Sequence, residues 1–395
     1  MIFKRKIEGI FIFPFILTGR LISVIRPLKK EYRIYFFFSF YHIGGAEKVH
    51  AQITQAAGGN DCILFFTKRS HNDLFLETFK ASGCDIRDIS RYTDNKWLYP
   101  INLIFRGIIS GYINHQKNQA VVFNGQCNFG YKLSPWIKKT VPQVELIHSL
   151  NSFSYIRIPF LPFITRTVMI SRKRIEDHVH LYEKLSIPAA FAERIQYISN
   201  AVPLPASPVK KENTPLTVLF SGRGGQEKRV HLIAEMGAAL YRGPGGFQFE
   251  FLGDVSGVLS TGDYTYIRFY GNQSDQKYIN QIYDRAHVLI LTSETEGFPM
   301  VVIEAMAHGA AIISTPVGDI PYHVKNDVNG YLFSSITDEN KILKEGIDFL
   351  LKLQEDHQLL EKISENNIKH AKEFFGIEKF NRAYQHLLES IKTTD

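Results

Sequence analysis

A chain of 395 residues is long enough for two domains, and an apolar fraction of 45% lets each domain bury an ordinary core. Only 22% of the residues are charged, which argues against disorder, and three widely separated cysteines argue against a disulfide framework or a zinc site and favour a reducing compartment. Residues 1–30 hold seven basic residues and one acidic residue, a net +6 of the total +7, so the remainder is nearly neutral and no nucleic-acid module is indicated.

The basic segment 1–30 surrounds an apolar run, "GIFIFPFILTG", from Gly9 to Gly19. The run is too short for a transmembrane helix and is interrupted by Pro14 and Arg20. A cleavable signal peptide is one alternative, but no small-residue cleavage site follows cleanly. We expect an interfacial anchor that holds a cytoplasmic protein on the inner face of the membrane. The competing expectation is an extra helix packed on the first domain.

The first predicted domain covers residues 31–201. Its apolar runs are continuous rather than alternating, which indicates strands covered on both faces and hence a parallel sheet with helices between the strands. The runs lie at 32–40, 61–67, 120–125, 144–149 and 167–171.

A proline-rich stretch, "VPLPASPVKKENTP" at 202–215, predicts an interdomain linker. The strand–helix alternation then restarts in a second domain at 216–375, with strands predicted in "LTVLFSG", "FQFEFLGD", "IRFYG", "HVLILTS", "AAIIST" and "YLF". For residues 376–395 we expect a final helix that returns to the first domain. The fold class is therefore α/β, with two doubly wound, Rossmann-like domains whose ligands lie at the carboxyl ends of the strands. We expect these ends to face each other across a cleft.

A glycine-rich turn, "RGGQEKR", follows the strand "LTVLFSG". The dinucleotide fingerprint fails because Glu227 stands at its third glycine, and the P-loop pattern is absent. Arg223 and Lys228 bracket a loop that leads to a helix start, which is a suitable site for a diphosphate. The alternative is a solvated loop with ordinary surface charges.

Two carboxylates stand in the apolar stretch "EGFPMVVIEAMAHG", Glu296 before a predicted helix and Glu304 inside it. The backbone amides of Gly297 and Phe298 open that helix, whose positive end attracts anions and polar hydroxyls. Carboxylates only accept hydrogen bonds, so the pair suits a ligand rich in hydroxyls, such as a ribose and a hexose. The alternative is a capping carboxylate and a partly exposed glutamate.

This stretch resembles the E-x7-E motif of the retaining GT-B glycosyltransferases of family GT4, and the resemblance covers nearly the whole chain after residue 30. Further matching segments are "HIGGAEKV", "ELIHS", "YISNAVPL", "FSGRGGQEKRVHLI" and "TPVGDIPYHVKNDVNGYLF". The chain departs from the family at Arg229 and Asp319, where glycine is common, and at Tyr322, where glutamate is common.

The resemblance implies a GT-B fold and transfer of a sugar, with retention, from a nucleotide diphosphate sugar to a saccharide or lipid-linked saccharide acceptor, in polysaccharide or lipopolysaccharide biosynthesis. His148 and Glu296 are the catalytic candidates, and Glu296 is assigned to the transferred sugar. The donor-binding candidates it implies are Gly44, Gly45, Arg223, Lys228, Glu296, Gly297, Phe298 and Glu304.

The resemblance assigns His148 to the sugar near the anomeric centre and Glu304 to the ribose. Taken alone, His148 is better interpreted as a core histidine and Gly44–Gly45 as a plain helix-start turn, but their common position at strand ends favours a functional role for both. The chain has no D-x-D sequence placed to hold a divalent ion, so we expect no metal and no cofactor. Two other functions stay open: a GT-B sugar-nucleotide epimerase and a non-catalytic GT-B partner subunit.

Overall fold

The computed structural model describes residues 2–42, 44–148, 150, 152–206, 211, 215–243 and 246–391. The chain forms two compact units. Unit 1 comprises Met1–Ile198 together with Phe380–Asp395, and unit 2 comprises Ser199–Lys379. Each unit contains one sheet, and every strand pair in both sheets is parallel. The predicted α/β class with two parallel sheets is confirmed.

The sheet of unit 1 has seven strands in the order β3-β2-β1-β4-β5-β6-β7. Its strands are β1 (Ile34–Phe38), β2 (Cys62–Phe66), β3 (Asp85–Asp88), β4 (Val121–Asn124), β5 (Gln143–Ile147), β6 (Arg166–Met169) and β7 (Ile195–Tyr197). Its helices are α1 (Ile2–Ile25), α2 (Gly45–Ala57), α3 (Leu76–Lys80), α4 (Ser90–Thr93), α5 (Tyr99–Asn114), α6 (Asn128–Leu133), α7 (Ser152–Ile156) and α8 (Arg172–Lys184).

Strands β1 and β2 of unit 1 are apolar and wholly buried. All five residues of β1 are buried, and the ring of Phe37 stacks on Phe65 of β2 with centroids 5.3 Å apart. Burying each such ring contributes about 1.5–3 kcal/mol relative to leaving it exposed. This burial on both faces explains why the central strands are continuous apolar runs.

The two strands that the apolar pattern did not predict, β3 and β7, are the two edges of this sheet. Their residues are only partly buried or exposed, in β3 "DIRD" and in β7 "IQY". An edge strand contacts one neighbouring strand only and is less completely covered, so it does not need a continuous apolar run.

Helix α1 packs along α5. Gly19 lies so close to α5 that a Cβ atom there would be 2.2 Å from the Ile104 carbonyl oxygen, which requires glycine at this contact. Ile16 is fully buried, whereas Phe11 is 75% and Leu21 is 58% exposed. One face of α1 is therefore packed, and the other is apolar and uncovered. Within the part of the chain that the structure describes, none of the helices combines the length and apolar character needed to cross a bilayer.

The sheet of unit 2 has six strands in the order β10-β9-β8-β11-β12-β13. Its strands are β8 (Leu216–Ser221), β9 (Phe247–Leu252), β10 (Ile267–Gly271), β11 (Val288–Leu291), β12 (Ala311–Ser314) and β13 (Gly330–Leu332). Its helices are α9 (Val230–Arg242), α10 (Gln276–Arg285), α11 (Met300–Ala307), α12 (Ile320–His323), α13 (Glu339–Glu355) and α14 (His357–Phe375). The last helix, α15 (Ile377–Ser390), follows α14 at Gly376.

Candidate functional site

The residues predicted from the sequence form two groups, one in each unit. In unit 2, β8 ends at Ser221, and the chain continues through the predicted phosphate loop to the start of α9. Arg223 is exposed, and its side chain has no hydrogen-bond or ion-pair partner among the described residues. Lys228 ends a single 3₁₀ turn and is partly buried. The two cations of the loop therefore differ: Arg223 is open to solvent, and Lys228 is held.

Lys228 forms an ion pair with Glu296. This residue lies in the loop just before the N-terminus of α11, which is called here the mouth of the helix. The Lys228 ammonium contacts Oε1 of Glu296, and the two side chains are 21% and 10% exposed. An ammonium has three N–H donors and a carboxylate has several lone pairs, so this one contact does not use all the hydrogen-bonding capacity of either group. The structure thus brings together a predicted phosphate ligand and a predicted sugar ligand.

The loop that carries Lys228 is tied to the end of β11. Nε of Arg229 donates to the Thr292 carbonyl oxygen at 2.8 Å, and the Thr292 hydroxyl donates to the Lys228 carbonyl oxygen at 2.8 Å. The backbone amide of Glu294 donates to the Glu227 carbonyl oxygen at 2.8 Å. These bonds fix the position from which the Lys228 side chain extends.

Arg229 adopts a left-handed backbone conformation, with φ 47° and ψ 46°. This conformation costs an ordinary residue about 1–2 kcal/mol and costs glycine little. It therefore explains physically why glycine suits this position in the family that the sequence resembles. Here the buried guanidinium bond of Arg229 to the Thr292 carbonyl offsets the strain.

Glu304 lies one turn into α11 and is partly buried. The Tyr283 hydroxyl donates to Oε2 of Glu304 at 2.9 Å and lies 3.0 Å from the Ser221 hydroxyl. Burial, reinforced by the charge of Glu304, raises the pKa of Tyr283 well above its usual value. A protein hydroxyl thus supplies part of the hydrogen bonding that the sequence led us to expect from a ligand.

The backbone at the mouth of α11 is shaped by the loop after β12. The amide of Asp319 donates to the Gly297 carbonyl oxygen at 2.8 Å. Gly318 has φ +59°, and a Cβ atom there would lie 1.9 Å from the Gly297 carbonyl oxygen. Among the described residues, none accepts a hydrogen bond from the backbone amides of Gly297 and Phe298. The helix itself begins at Met300, later than predicted, so these two N–H donors lie in the loop just before its positive end.

In unit 1, Gly44 and Gly45 stand at the start of α2. Gly44 is the N-cap residue, has an extended backbone, and receives no side-chain cap. Glu47 lies in the first turn, with Oε1 4.0 Å from Nε2 of His42. The mouth of this helix therefore already holds one carboxylate beside the predicted anion site.

Helix α2 also places His50 against His148. The two Nε2 atoms lie 2.9 Å apart, so one ring donates the hydrogen bond and the other accepts it. His50 is 4% exposed, and its ring stacks on Phe38 with centroids 4.2 Å apart. The backbone amide of His148 donates to Oε1 of Gln126 at 3.3 Å. His148 is thus oriented by a second histidine that comes from the glycine-loop helix.

Both histidines are neutral at pH 7. Burial lowers the pKa of His148 to about 4. Burial and the neighbouring His148 lower the pKa of His50 well below 6.5. A neutral imidazole can donate from one nitrogen and accept at the other, which suits contact with hydroxyl groups.

A buried ion pair anchors the segment that follows His148. The Arg157 guanidinium, just after α7, donates from Nη2 to Oε1 of Glu145 in β5 at 2.5 Å and from Nε to Oε2 at 3.0 Å. Both side chains are fully buried. Since β5 ends directly before His148, this pair holds the chain on both sides of that residue.

Sequence reasoning missed His50 and Tyr283. A histidine between the buried residues Val49 and Ala51, on the helix that begins at the glycine pair, was the one available signal for His50. No local pattern distinguishes Tyr283 from the other tyrosines of the chain. Both depend on contacts between distant segments.

Comparison with known proteins connects these features to a family. Residues 206–370 match the family model "Glycosyl transferases group 1". The chain is 32% identical over 153 residues to D-inositol 3-phosphate glycosyltransferase from Saccharomonospora viridis, a match that spans 38% of this chain and only 32% of that enzyme. It is 24% identical over 273 residues to lipopolysaccharide 1,6-galactosyltransferase from Salmonella typhimurium, spanning 61% of this chain and 72% of that enzyme.

The fold has close counterparts among solved structures. HepE from Anabaena, crystallised in complex with UDP-glucose, superposes with a TM-score of 0.70 at 17% identity and covers 90% of this chain and 99% of its own. At this identity the likeness shows the fold, and the fold is GT-B. Residues 206–370, which include Lys228, Glu296 and Glu304, therefore match a glycosyl transferases group 1 domain, and the chain has the GT-B fold.

Proposed function

We propose that this protein is a retaining glycosyltransferase of the GT4 type, which transfers a hexose from a nucleotide diphosphate sugar to a saccharide or lipid-linked saccharide acceptor. The observation that carries the proposal is the Lys228–Glu296 ion pair at the mouth of α11. A cation for the phosphates and an acceptor for the sugar hydroxyls are adjacent there, inside the matched domain.

The diphosphate is proposed to bind at the loop after β8. The Arg223 side chain has no partner among the described residues, and the Lys228 ammonium keeps two N–H donors beyond its bond to Glu296. The free amides of Gly297 and Phe298 add donors at the same helix mouth. Negative charge grows on the diphosphate as the glycosidic bond breaks, so fixed donors of this kind would stabilise the transition state.

The sugars are proposed to bind at the carboxylates. Glu296 would accept hydrogen bonds from the transferred sugar. Glu304 retains acceptor capacity beside the Tyr283 hydroxyl, and it is assigned to the ribose. Gly44, Gly45 and His148 of unit 1 are assigned to the donor phosphates and to the sugar near the anomeric centre, as the resemblance implies. A neutral His148, held by His50, can exchange hydrogen bonds with sugar hydroxyls.

The proposed reaction needs no metal ion or cofactor. Arg223, Lys228 and the helix start would neutralise the diphosphate without a divalent cation. Within the described ranges, no group of three His, Cys, Asp or Glu side chains is arranged to hold a metal. Activity that survives excess EDTA would support this part of the proposal. Loss of activity that magnesium or manganese restores would contradict it.

The proposed location is the cytoplasmic face of a membrane. The uncovered face of α1 is apolar, and seven basic residues lie within residues 1–30. A surface of this kind lies in the headgroup region and is attracted to anionic lipids. The proposed role is assembly of a cell-surface polysaccharide or lipopolysaccharide, to which the Salmonella relative points by its name.

The test begins with donor binding. UDP-, GDP- and ADP-sugars are compared by thermal unfolding, with UDP-glucose as the first probe because HepE was crystallised with it. A ligand at a hundred times its Kd stabilises the folded state by about 2.7 kcal/mol. We expect one nucleotide series to raise the unfolding temperature clearly above the others.

Turnover then separates the candidate functions. A transferase releases the nucleoside diphosphate and joins the sugar to an acceptor from a glycolipid extract, with the anomeric configuration retained in the NMR spectrum of the product. An epimerase yields an altered free sugar or sugar nucleotide and no glycosylated product. A non-catalytic subunit shows no turnover with any donor, which would refute the proposal.

A further inference from the structure

Unit 1 contains a cavity of about 1010 Å³ that is remote from the candidate residues described above. Gln143 and Arg166, the first residues of β5 and β6, lie in its wall. His148 follows the last residue of β5, Ile147. Since the strands are parallel, all their amino ends lie on one side of the sheet and all their carboxyl ends lie on the other. The cavity therefore lies at the amino ends of these strands, whereas His148 lies at the carboxyl end of β5. All the residues that line the cavity belong to unit 1.

The wall of this cavity is cationic. Lys139, Arg166 and Arg194 line it beside His386, and the described residues that line it include no aspartate or glutamate. Arg194 is held in place, because Nη1 donates to the Ile164 carbonyl oxygen at 2.8 Å. The side chains of Lys139 and Arg166 make no ion pair or hydrogen bond with any described residue. Cations gathered without a counter-charge repel one another, and a bound anion would relieve that repulsion.

Gln143 adds a second observation that points to a ligand. The residue is only 3% exposed, and its side-chain Nε2 donates to the Ser134 carbonyl oxygen at 3.3 Å. A carbonyl oxygen only accepts, so the NH₂ group must face Ser134 and the amide oxygen must face the other way. Oε1 of Gln143 is buried and has no partner among the described residues. A buried acceptor left without a donor costs about 1–3 kcal/mol, and a ligand hydroxyl would satisfy it once the amide of Gln143 turned its oxygen into the cavity that this residue lines.

We propose that this cavity binds a phosphorylated polyol, with its phosphate at Lys139 and Arg166 and one of its hydroxyls at Oε1 of Gln143. The chemistry is complementary on both counts, since the phosphate meets cations and the hydroxyl meets an unsatisfied acceptor. The site is separate from the proposed donor site and does not depend on it.

Two sources can supply this ligand: a glycerol phosphate lipid headgroup or a soluble polyol phosphate. Nη2 of Arg20, in α1, donates to the Trp136 carbonyl oxygen at 3.0 Å, and the next residue, Ile137, lines the cavity. The cavity therefore adjoins the helix whose outer face is apolar. The headgroup source rests on the membrane contact proposed above, whereas the soluble source does not.

The test uses the full-length protein and glycerol 3-phosphate in a calorimetric titration, with glycerol as the blank. We expect saturable binding that weakens roughly tenfold in Lys139→Gln and in Arg166→Gln, the loss equivalent to one charged hydrogen bond. Lys138→Gln is the matched control, because it removes the same charge from the next residue, which does not line the cavity. Circular dichroism and thermal unfolding of each variant verify the fold.

Vesicles identify the source. Phosphatidylglycerol and phosphatidylserine vesicles of equal anionic content are compared by sedimentation. A preference for phosphatidylglycerol that Lys139→Gln and Arg166→Gln abolish assigns the site to a headgroup. Saturable titration without that preference assigns it to a soluble ligand. No saturable binding in either assay, or equal losses in Lys138→Gln, would overturn the proposal. Nucleoside diphosphate binding, measured on the same samples, is expected to be unchanged, so failure here stays distinct from failure of the proposed transferase.

Discussion

The Nε2 atoms of His50 and His148 lie 2.9 Å apart, although 98 residues separate them in the chain. Nε2 of His148 is therefore occupied by a contact within the protein, and Nδ1 is the second nitrogen of its ring. Because one ring must donate and the other accept at this contact, the tautomers of His148 and His50 are coupled. A residue assigned to the reaction by resemblance is thus positioned by one that no motif singled out.

Replacing His50 tests this positioning. His50→Leu removes the hydrogen bond to His148, and His50→Gln keeps a polar group near the same place. We expect turnover to fall about two- to tenfold in His50→Leu, the worth of one hydrogen bond, and less in His50→Gln. Steady-state kinetics and circular dichroism are measured together. Turnover in His50→Leu equal to that of the unmodified protein would refute the positioning role.

The same pair predicts the acid stability of the protein. The pKa of His148 is lowered from 6.5 to about 4, so the unfolded chain binds more protons than the folded chain between these values. Stability is then complete above about pH 6.5 and falls as the pH drops toward 4, by at most about 1.4 kcal/mol per pH unit for one histidine. Urea unfolding at pH 7.5, 6.0 and 5.0 measures the slope. His148→Gln should flatten it, and an unchanged slope would contradict the assignment.

Replacing Glu296 separates binding from transfer. Glu296→Gln removes the charge that pairs with Lys228 and weakens the proposed contact with the sugar. We expect tighter binding of UDP, because Lys228 is released toward the phosphates, and strongly reduced transfer. Calorimetry with UDP and turnover with UDP-glucose measure the two effects. Glu294→Gln is the matched control, since this exposed glutamate lies two residues earlier in the same loop. Identical behaviour of the two variants would sink the assignment.

Replacing the loop cations tests the diphosphate role. Arg223→Ala and Lys228→Ala are each expected to weaken UDP binding by roughly 1.5–3 kcal/mol and uridine binding much less. Lys228→Ala should lose more, because it also leaves Glu296 unpaired beside the phosphates. Adding Glu296→Gln to Lys228→Ala should recover part of that loss. Lys344→Ala, an exposed change in α13, serves as control. Equal losses for UDP and uridine would rule out phosphate contact.

Replacing the outer face of α1 tests the membrane contact. A triple change of Phe11, Leu17 and Leu21 to glutamine alters side chains that are 75%, 46% and 58% exposed and leaves the packed side at Gly19 intact. We expect reduced sedimentation with anionic vesicles and unchanged thermal stability, because these side chains contribute little to the core. Leu185→Gln, 44% exposed just after the end of α8, is the control. Equal vesicle binding by the triple variant and the unmodified chain would remove the basis for a lipid-linked acceptor.

The sequence by itself determined the parallel α/β architecture and the central strands. A strand buried on both faces is mostly apolar, and that preference is visible in a run such as "IYFFF" of β1 without knowledge of its neighbours. The glycine-rich turns and the E-x7-E stretch are equally local, because loop flexibility and helix starts depend on adjacent residues. The edge strands β3 and β7 escaped prediction because an edge does not impose the apolar requirement.

Only the tertiary structure decided what the site residues contact. Lys228 and Glu296 are 68 residues apart, and Tyr283 and Glu304 are 21 apart, yet each pair meets because β8, β11 and the helices that flank them bring their ends to one edge of a sheet. The left-handed backbone at Arg229 and the unsatisfied amide oxygen of Gln143 likewise arise from packing. Strand order and register set these contacts, and neither is encoded in the spacing of residues along a single segment.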